Sequence, residues 1–530
     1  MPAVRWLLVL TFVTLCASSE GCSSNSSNGP AIDAVMQTTA GANSTGGVLS
    51  SGGSQLISAT GASGATGAVL ASGGTPSDAA VGDGTGGASS DGTGGSSAPA
   101  MGNTDCTIMS SLTMSTAIST VGIVEWSTDL AGLDTASIEF GLDQNYGMVA
   151  PVDLMETNYR TLLLGMKADH EYHYRVVATA GSQTCTGPDN TLQTGSLPAT
   201  LTLPSISVTT AQPDKAAKGF LLAGFGFMTK GPTFIIDSDG DYVWWFDSGD
   251  MTRARMSYDG KSMWTQAMNW STTGGFNGSP GGNPVIHQVS MDGMDVQTFG
   301  LNEIGDATHD YDVTPDGSYI SPQFDAAGCM TIRERAANGQ SHDIIASNTV
   351  NPQAVNECLV NSIHYWPSDD SITYSDLPHN CYVKITHAGA VQWVLGGANT
   401  TFTQGDAISW HGEHGHHLLS PTRFLMFNNG VNPLAVGPTD GSSSIVYEVE
   451  LDTSTNTATR VWQYDGGLQT LVFGDVQRLP NGNTIVNYGT HGTTHEVDAN
   501  ATLVRTMTWA SSPTIPYIEW RSSLYGPPDR

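Results

Sequence analysis

From residue 104 onward the chain repeats one pattern: short runs in which apolar and polar positions alternate, interrupted by tight turn signals. Alternation with period two puts every second side chain on one face of a strand, so each run predicts a half-buried β-strand. Ile123-Val124-Glu125-Trp126, Ala136-Ser137-Ile138-Glu139-Phe140 and Glu171-Tyr172-His173-Tyr174-Arg175-Val176 are examples in the first hundred of these residues. Further on, Thr233–Ile236, Tyr242–Phe246 and Tyr382–Ile385 read as denser, more apolar strands. The turns between them include Asp239-Gly240, Asp259-Gly260, Asp292-Gly293, Asp316-Gly317, Ala388-Gly389 and Asn481-Gly482. Asp-Gly and Asn-Gly between alternating runs are strong hairpin signals, because glycine takes the positive φ that such turns need. No long stretch carries a helical period. The predicted fold class is all-β.

The first 103 residues do not follow this pattern. Arg5 precedes an apolar run from Trp6 to Leu15, and small residues lead to Cys22. That run is too short to span a bilayer and reads as an export signal over residues 1–22, with Cys22 as a lipidation position. Residues 23–103 contain no aromatic residue, no Lys and no Arg. Rich in Gly, Ser, Thr and Ala, they bury too little apolar surface to offset ordering entropy and read as a disordered stalk. The expected location is the bacterial cell envelope, with the only membrane contact through a lipid at Cys22.

The chain has 530 residues, 49 Asp+Glu against 19 Lys+Arg, and a net charge of −30. A nucleic-acid binder needs a basic face, so that class is excluded. Seven cysteines fit an oxidising compartment: Cys106 and Cys185 bracket the first folded segment and are expected to pair. Cys329, Cys358 and Cys381 leave one thiol over, and the sequence does not say which.

Residues 104–198 resemble a fibronectin type III domain on the stretch Leu164–Tyr174, where Tyr172 stands as the corner tyrosine and Trp126 as the buried aromatic. That implies a β-sandwich acting as a spacer or docking module. Residues 199–530, with hairpins repeating over the whole stretch, predict a β-propeller of six blades.

Four segments of the propeller carry polar side chains that could converge on its channel. They are Thr308-His309-Asp310-Tyr311-Asp312, Val360-Asn361-Ser362-Ile363-His364-Tyr365, the His-rich Ser409–Leu419 leading to Phe427-Asn428-Asn429-Gly430, and Gly474–Thr484. In this order, with Ser522-Ser523-Leu524-Tyr525 at the end, they resemble the bacterial arylsulfotransferase (ASST) family of six-bladed propellers. The resemblance implies sulfuryl transfer from a phenolic sulfate ester to a phenol through a sulfated histidine, with aryl sulfates and phenols as small-molecule partners and no nucleotide donor or other cofactor. It assigns the nucleophile to His414, an acid/base or sulfuryl-oxygen donor to His309, and a sulfuryl-oxygen donor to Asn361. A neutral imidazole can attack sulfur and split one hard transfer into two, provided donors stabilise the sulfuryl oxygens.

Two positions depart from the family: Leu359 and Leu377 stand where it has His and Arg. Arg478 and His491 are the expected substrate-binding substitutes, with His364 and His379 as further options. The departures keep two other readings open: a non-catalytic cell-surface propeller that binds a ligand or a protein, and a metal-dependent hydrolase or lyase using His411, His414, His416 and His417. No zinc-type motif accompanies that run, so no metal ligand is assigned. Asp237-Ser238-Asp239-Gly240-Asp241 has some likeness to a calcium loop but lacks its terminal Glu and reads as a hairpin turn.

Overall fold

The protein is described by a computed structural model over residues 106–529, except 227–230, 268–283, 326–327, 353–357, 405–407 and 432–442. The export signal with Cys22 and the stalk lie outside the described residues.

Strands between Ile108 and Gln193 form two antiparallel sheets. One joins Ile108–Met114, Gly122–Thr128 and Thr161–Leu163; the other is built around Thr135–Gly141 and Glu171–Ala180. Alternate residues of Glu171–Ala180 are buried, so Tyr172, Tyr174, Val176 and Ala178 pack with Val124, Trp126, Ile138 and Phe140 in one core. The Tyr172 hydroxyl accepts the Lys167 N–H at 2.9 Å, a bond back to the chain just upstream. A disulfide joins Cys106 to Cys185.

Among the described residues six sheets of four or five strands follow, antiparallel except where Thr403–Gln404 runs parallel to Thr457–Asp465, as a six-bladed propeller requires. Their first strands are Ile518–Arg521, Met251–Met256, Asp312–Val313, Ile363–Trp366, Glu413–Ser420 and Asp475–Arg478, for blades one to six. The ring closes at both ends of the chain. Ile518–Arg521 pairs with Phe220–Gly224 to complete blade one, and Ile206–Thr210 pairs with Leu503–Trp509 as the outermost strand of blade six. Glycines of all six turns named from the sequence have φ between 72° and 90°. The longest α-helix among the described residues is the single turn Leu301–Ile304, and no described helix is long and apolar enough to cross a membrane.

The sandwich rests on blades one and two through a shared core. Ile118, Val121 and Leu164 pack with Leu222, Val243, Trp244, Met263 and Leu524. Burying side chains of this size contributes about 1.5–3 kcal/mol each. Tyr525 ties the same junction, accepting from Leu164 N–H at 2.8 Å and donating to Leu162 O at 3.0 Å. Asp237, Asp239 and Asp241 form a hairpin turn, and the Lys167 ammonium lies 3.3, 2.8 and 2.7 Å from their carboxylates. The likeness to a calcium loop thus ends in a lysine docking point between sandwich and blade one. Cys329 and Cys358 are bonded, which leaves Cys381 as the buried free thiol.

Candidate functional site

The first strands of successive blades are stapled to one another by side chains. Asp310 Oδ2 accepts from Ile363 N–H and Asp312 Oδ2 from Tyr365 N–H, linking blades three and four. Asn361 Nδ2 donates to Glu413 O and Ser362 Oγ to His414 O, linking four and five. Asp475 Oδ2 accepts from Ile518 N–H, linking six and one. Each staple satisfies a backbone group that would otherwise face the axis unpaired. A small cavity on that axis is lined by Arg253, His364, His416, Asp475 and Glu519, among others, drawn from five different blades.

The arginines come from Met251–Met256, a strand buried throughout. Arg253 donates to both oxygens of Asp310, to Asp475 at 2.8 Å and to Ile518 O at 3.0 Å. Arg255 donates to Tyr311 O at 2.7 Å and lies near Asp312 and Glu519. Two buried cations are therefore matched by buried carboxylates, the condition under which such charges are tolerated.

His414 lies at the end of the channel where its strand begins. It is 4 % exposed, and its ring is 5.9 Å from Phe473 and 6.3 Å from Tyr517. Nδ1 is 2.7 Å from Asn429 Oδ1, and Nε2 makes no hydrogen bond among the described residues. Burial holds its pKa down at about 3, so the imidazole is neutral at pH 7. His309 is also buried, with its pKa pushed down to about 4, and a charge on it would disfavour one on His414. Its Nδ1 is 2.8 Å from Thr308 Oγ1, and its backbone has φ 56°. Such left-handed geometry is uncommon outside glycine and clusters at functional sites. Asn361 is tied in by Tyr517, whose hydroxyl donates to Asn361 O at 2.5 Å. His414 and Asn361 thus share Tyr517 as a neighbour, and His309 lies near enough for its charge to act on His414.

His416 has a different place. Trp366 Nε1–H can only donate, so Thr373 Oγ1 accepts it at 2.6 Å and passes its own proton to His416 Nε2 at 2.7 Å. His416 Nδ1–H then donates to Ser362 Oγ at 2.8 Å, and Ser362 donates to the His414 carbonyl at 2.7 Å. The chain starts on an obligate donor and ends on an obligate acceptor, so every proton in it is placed. Both His416 nitrogens are engaged by hydroxyls, and a metal shared between His414 and His416 has no lone pair to use there.

Arg478 does not face the channel. Asp475, Val476 and Gln477 line the cavity and Arg478 does not. Its guanidinium pairs with Glu448 at 2.5 Å and lies 5.5 Å from the Trp462 ring. The expectation that it binds substrate is corrected on that ground. His491 sits in the loop after Thr484–Tyr488 and donates Nε2–H to Gln469 O at 2.6 Å; among the described residues no hydrogen bond or ring contact joins it to His414. His364 lies by Arg255, with 3.2 Å between Nδ1 and Nη2, and His379 pairs with Asp376. Leu359 and Leu377 pack in an apolar cluster with Val360, Tyr374 and Cys381. Hydrocarbon fills the two positions at which the resemblance predicts His and Arg.

The sequence reading missed Arg253, Arg255 and Asn429. A signal for the arginines was present: two cations alternating on an otherwise uncharged strand, in a chain with only 19 Lys+Arg. Asn429 stood inside a quoted segment but carried no sign of its partner.

The family model for arylsulfotransferase (ASST) matches residues 333–510. That span holds Asn361, Asn429 and His414. No curated protein matches the chain. Among solved structures, the chain is similar to the periplasmic gluconolactonase PpgL of Pseudomonas aeruginosa, at 11% identity and a TM-score of 0.35, over 57% of this chain and 99% of that one. It is also similar to a protein from Lactobacillus plantarum, at 11% identity and a TM-score of 0.36, over 73% and 99%. A third is the Cps50 (Swd1) β-propeller domain of Myceliophteria thermophila, at 9% identity and a TM-score of 0.37, over 60% and 93%. The matched stretch of about a third of the chain, which carries His414, Asn429 and Asn361, is what this protein shares with the arylsulfotransferase (ASST) family.

Proposed function

We propose that the propeller transfers a sulfuryl group from a phenolic sulfate ester to a phenol, with His414 as the nucleophile. The observation that carries this reading is a buried, neutral imidazole whose Nε2 has no hydrogen-bond partner among the described residues. In the first half-reaction the Nε2 lone pair forms a bond to sulfur, the S–O(aryl) bond breaks, and the phenolate leaves and takes its proton from water. In the second, the oxygen of the acceptor phenol attacks sulfur, the N–S bond breaks, and neutral His309 takes the phenol proton. The remaining N–H of the Asn361 amide is a donor to the sulfuryl oxygens. Donor and acceptor are aryl sulfates and phenols, as in the family.

The placement of the enzyme is part of the same proposal. The export signal, Cys22 and the stalk would hold the folded head away from a bacterial membrane. The two disulfides, Cys106–Cys185 and Cys329–Cys358, suit an oxidising compartment. The sandwich, with its Tyr172 corner bond, fits a fibronectin type III spacer.

The test is nitrophenol release from 4-nitrophenyl sulfate, with and without phenol, beside His414→Ala. The expected result is release that needs phenol and is lost in the variant. Release without an acceptor would make the protein a hydrolase. No release from folded protein would leave the non-catalytic binding propeller.

A further inference from the structure

Asn429 is fully buried at the end of the strand Arg423–Asn428, beside the His-rich strand of blade five. Its amide nitrogen lies 2.8 Å from Thr470 O and 2.8 Å from Phe473 O. Both are backbone carbonyls that can only accept, so the atom facing them has to be the NH2 group. Rotating the amide by half a turn would set an oxygen against two oxygens in a buried site. The amide orientation is thereby determined by chemistry, and Oδ1 faces His414. Oδ1 is an acceptor, so the His414 nitrogen 2.7 Å away has to carry the proton. The backbone of Asn429 is held as firmly: its N–H donates to Gly412 O at 2.9 Å, and its carbonyl accepts from Ser444 Oγ at 3.2 Å.

We infer that Asn429 is a positioning residue that locks His414 in the Nδ1–H tautomer and so keeps the Nε2 lone pair aimed at the incoming sulfur. A histidine has two neutral tautomers, and only one of them leaves Nε2 as a nucleophile. Phe473 and Tyr517 confine the ring but are indifferent to which nitrogen bears the proton. Asn429 supplies the discrimination, and it draws it from two carbonyls in the Leu468–Phe473 segment of a different blade connection. The catalytic part of this inference rests on His414 being the nucleophile; the tautomer assignment does not.

The experiment is 15N NMR of the full chain with 15N-labelled histidine, the His414 signals being those missing from His414→Ala. The expected wild-type spectrum has His414 Nδ1 protonated and Nε2 unprotonated. In Asn429→Leu the preference should be lost. The rate of nitrophenol release should fall on the order of 100- to 10,000-fold, with the KM for 4-nitrophenyl sulfate little changed. Asn429→Asp keeps an acceptor for Nδ1–H without the donors to Thr470 and Phe473, so it should keep the tautomer even if less stable. If Asn429→Leu does not fold, the wild-type and Asn429→Asp spectra still decide. A wild-type His414 protonated at Nε2 overturns the inference, whatever the activity. An Nδ1–H tautomer together with an active His414→Ala would uphold the lock and overturn the proposed nucleophile instead.

Discussion

The guanidinium carbon of Arg253 lies 4.3 Å from the centre of the Tyr517 ring. Arg253 is on the first strand of blade two, while Tyr517 leads into the strand that closes blade one and holds Asn361 through its hydroxyl. The same arginine neutralises Asp310 and Asp475, which staple blades three and six to their neighbours. Removing it leaves two buried carboxylates without a cation. Arg253→Met should therefore cost about 3–5 kcal/mol in denaturant unfolding. Arg253→Lys should recover only part, since an ammonium cannot reproduce the planar fork.

The acid range separates a buried imidazole from an ordinary one. An exposed histidine titrates near about 6.5, whereas His414 and His309 are held at about 3 and about 4. Below pH 6.5 the unfolded chain takes up protons that the folded chain refuses. The stability tied to these two groups is thus full above that pH and lost as pH falls toward their folded values. Transfer should persist at pH 5, with no acid limb near 6.5, and the melting temperature should drop between pH 6.5 and 4. An acid limb at 6.5 in kcat/KM would assign the nucleophile to some other histidine.

Glu413 has the opposite sign. It is fully buried, neither carboxyl oxygen has a hydrogen-bond partner among the described residues, and burial raises its pKa well above the usual carboxylate range. Its contribution is present below the unfolded value and lost as pH rises. Glu413→Gln keeps the shape without the titration. Thermal melts should find the variant more stable than wild type at pH 8 and nearly equal at pH 4.

The chain from Trp366 through Thr373 and His416 to Ser362 has no spare donor. Thr373→Val conserves volume but leaves Trp366 Nε1–H and His416 Nε2 unpaired. Unfolding should register a loss of about 1–3 kcal/mol, with the larger share from the stranded buried groups. If the loss is near zero, the proton order in this chain is not the one deduced above.

How much of this was legible beforehand differs by residue. Period-two alternation and Asp-Gly turns act over a few neighbours, so the all-β class and the hairpins at Gly240, Gly317 and Gly482 could be read directly. His309, Asn361 and His414 could be named because their segments resemble those of a known family. Arg478 was misplaced because one residue of alternation decides whether a side chain on Asp475–Arg478 faces the closing strand of blade one or Glu448 of blade five. That phase is set by the bonds of Asp475 and Gln477 to the closing strand.

By itself, then, the sequence determined the local terms: which runs are strands, where they turn, and which imidazoles stand in recognisable motifs. Only the tertiary structure decided which groups those imidazoles meet. Blade two supplies Arg253, a blade-six connection supplies the carbonyls that orient Asn429, and the C-terminal strand supplies Tyr517. Ring closure brings together positions hundreds of residues apart. Burial there turns ordinary histidines into neutral ones, and neither effect is written in the neighbours along the chain.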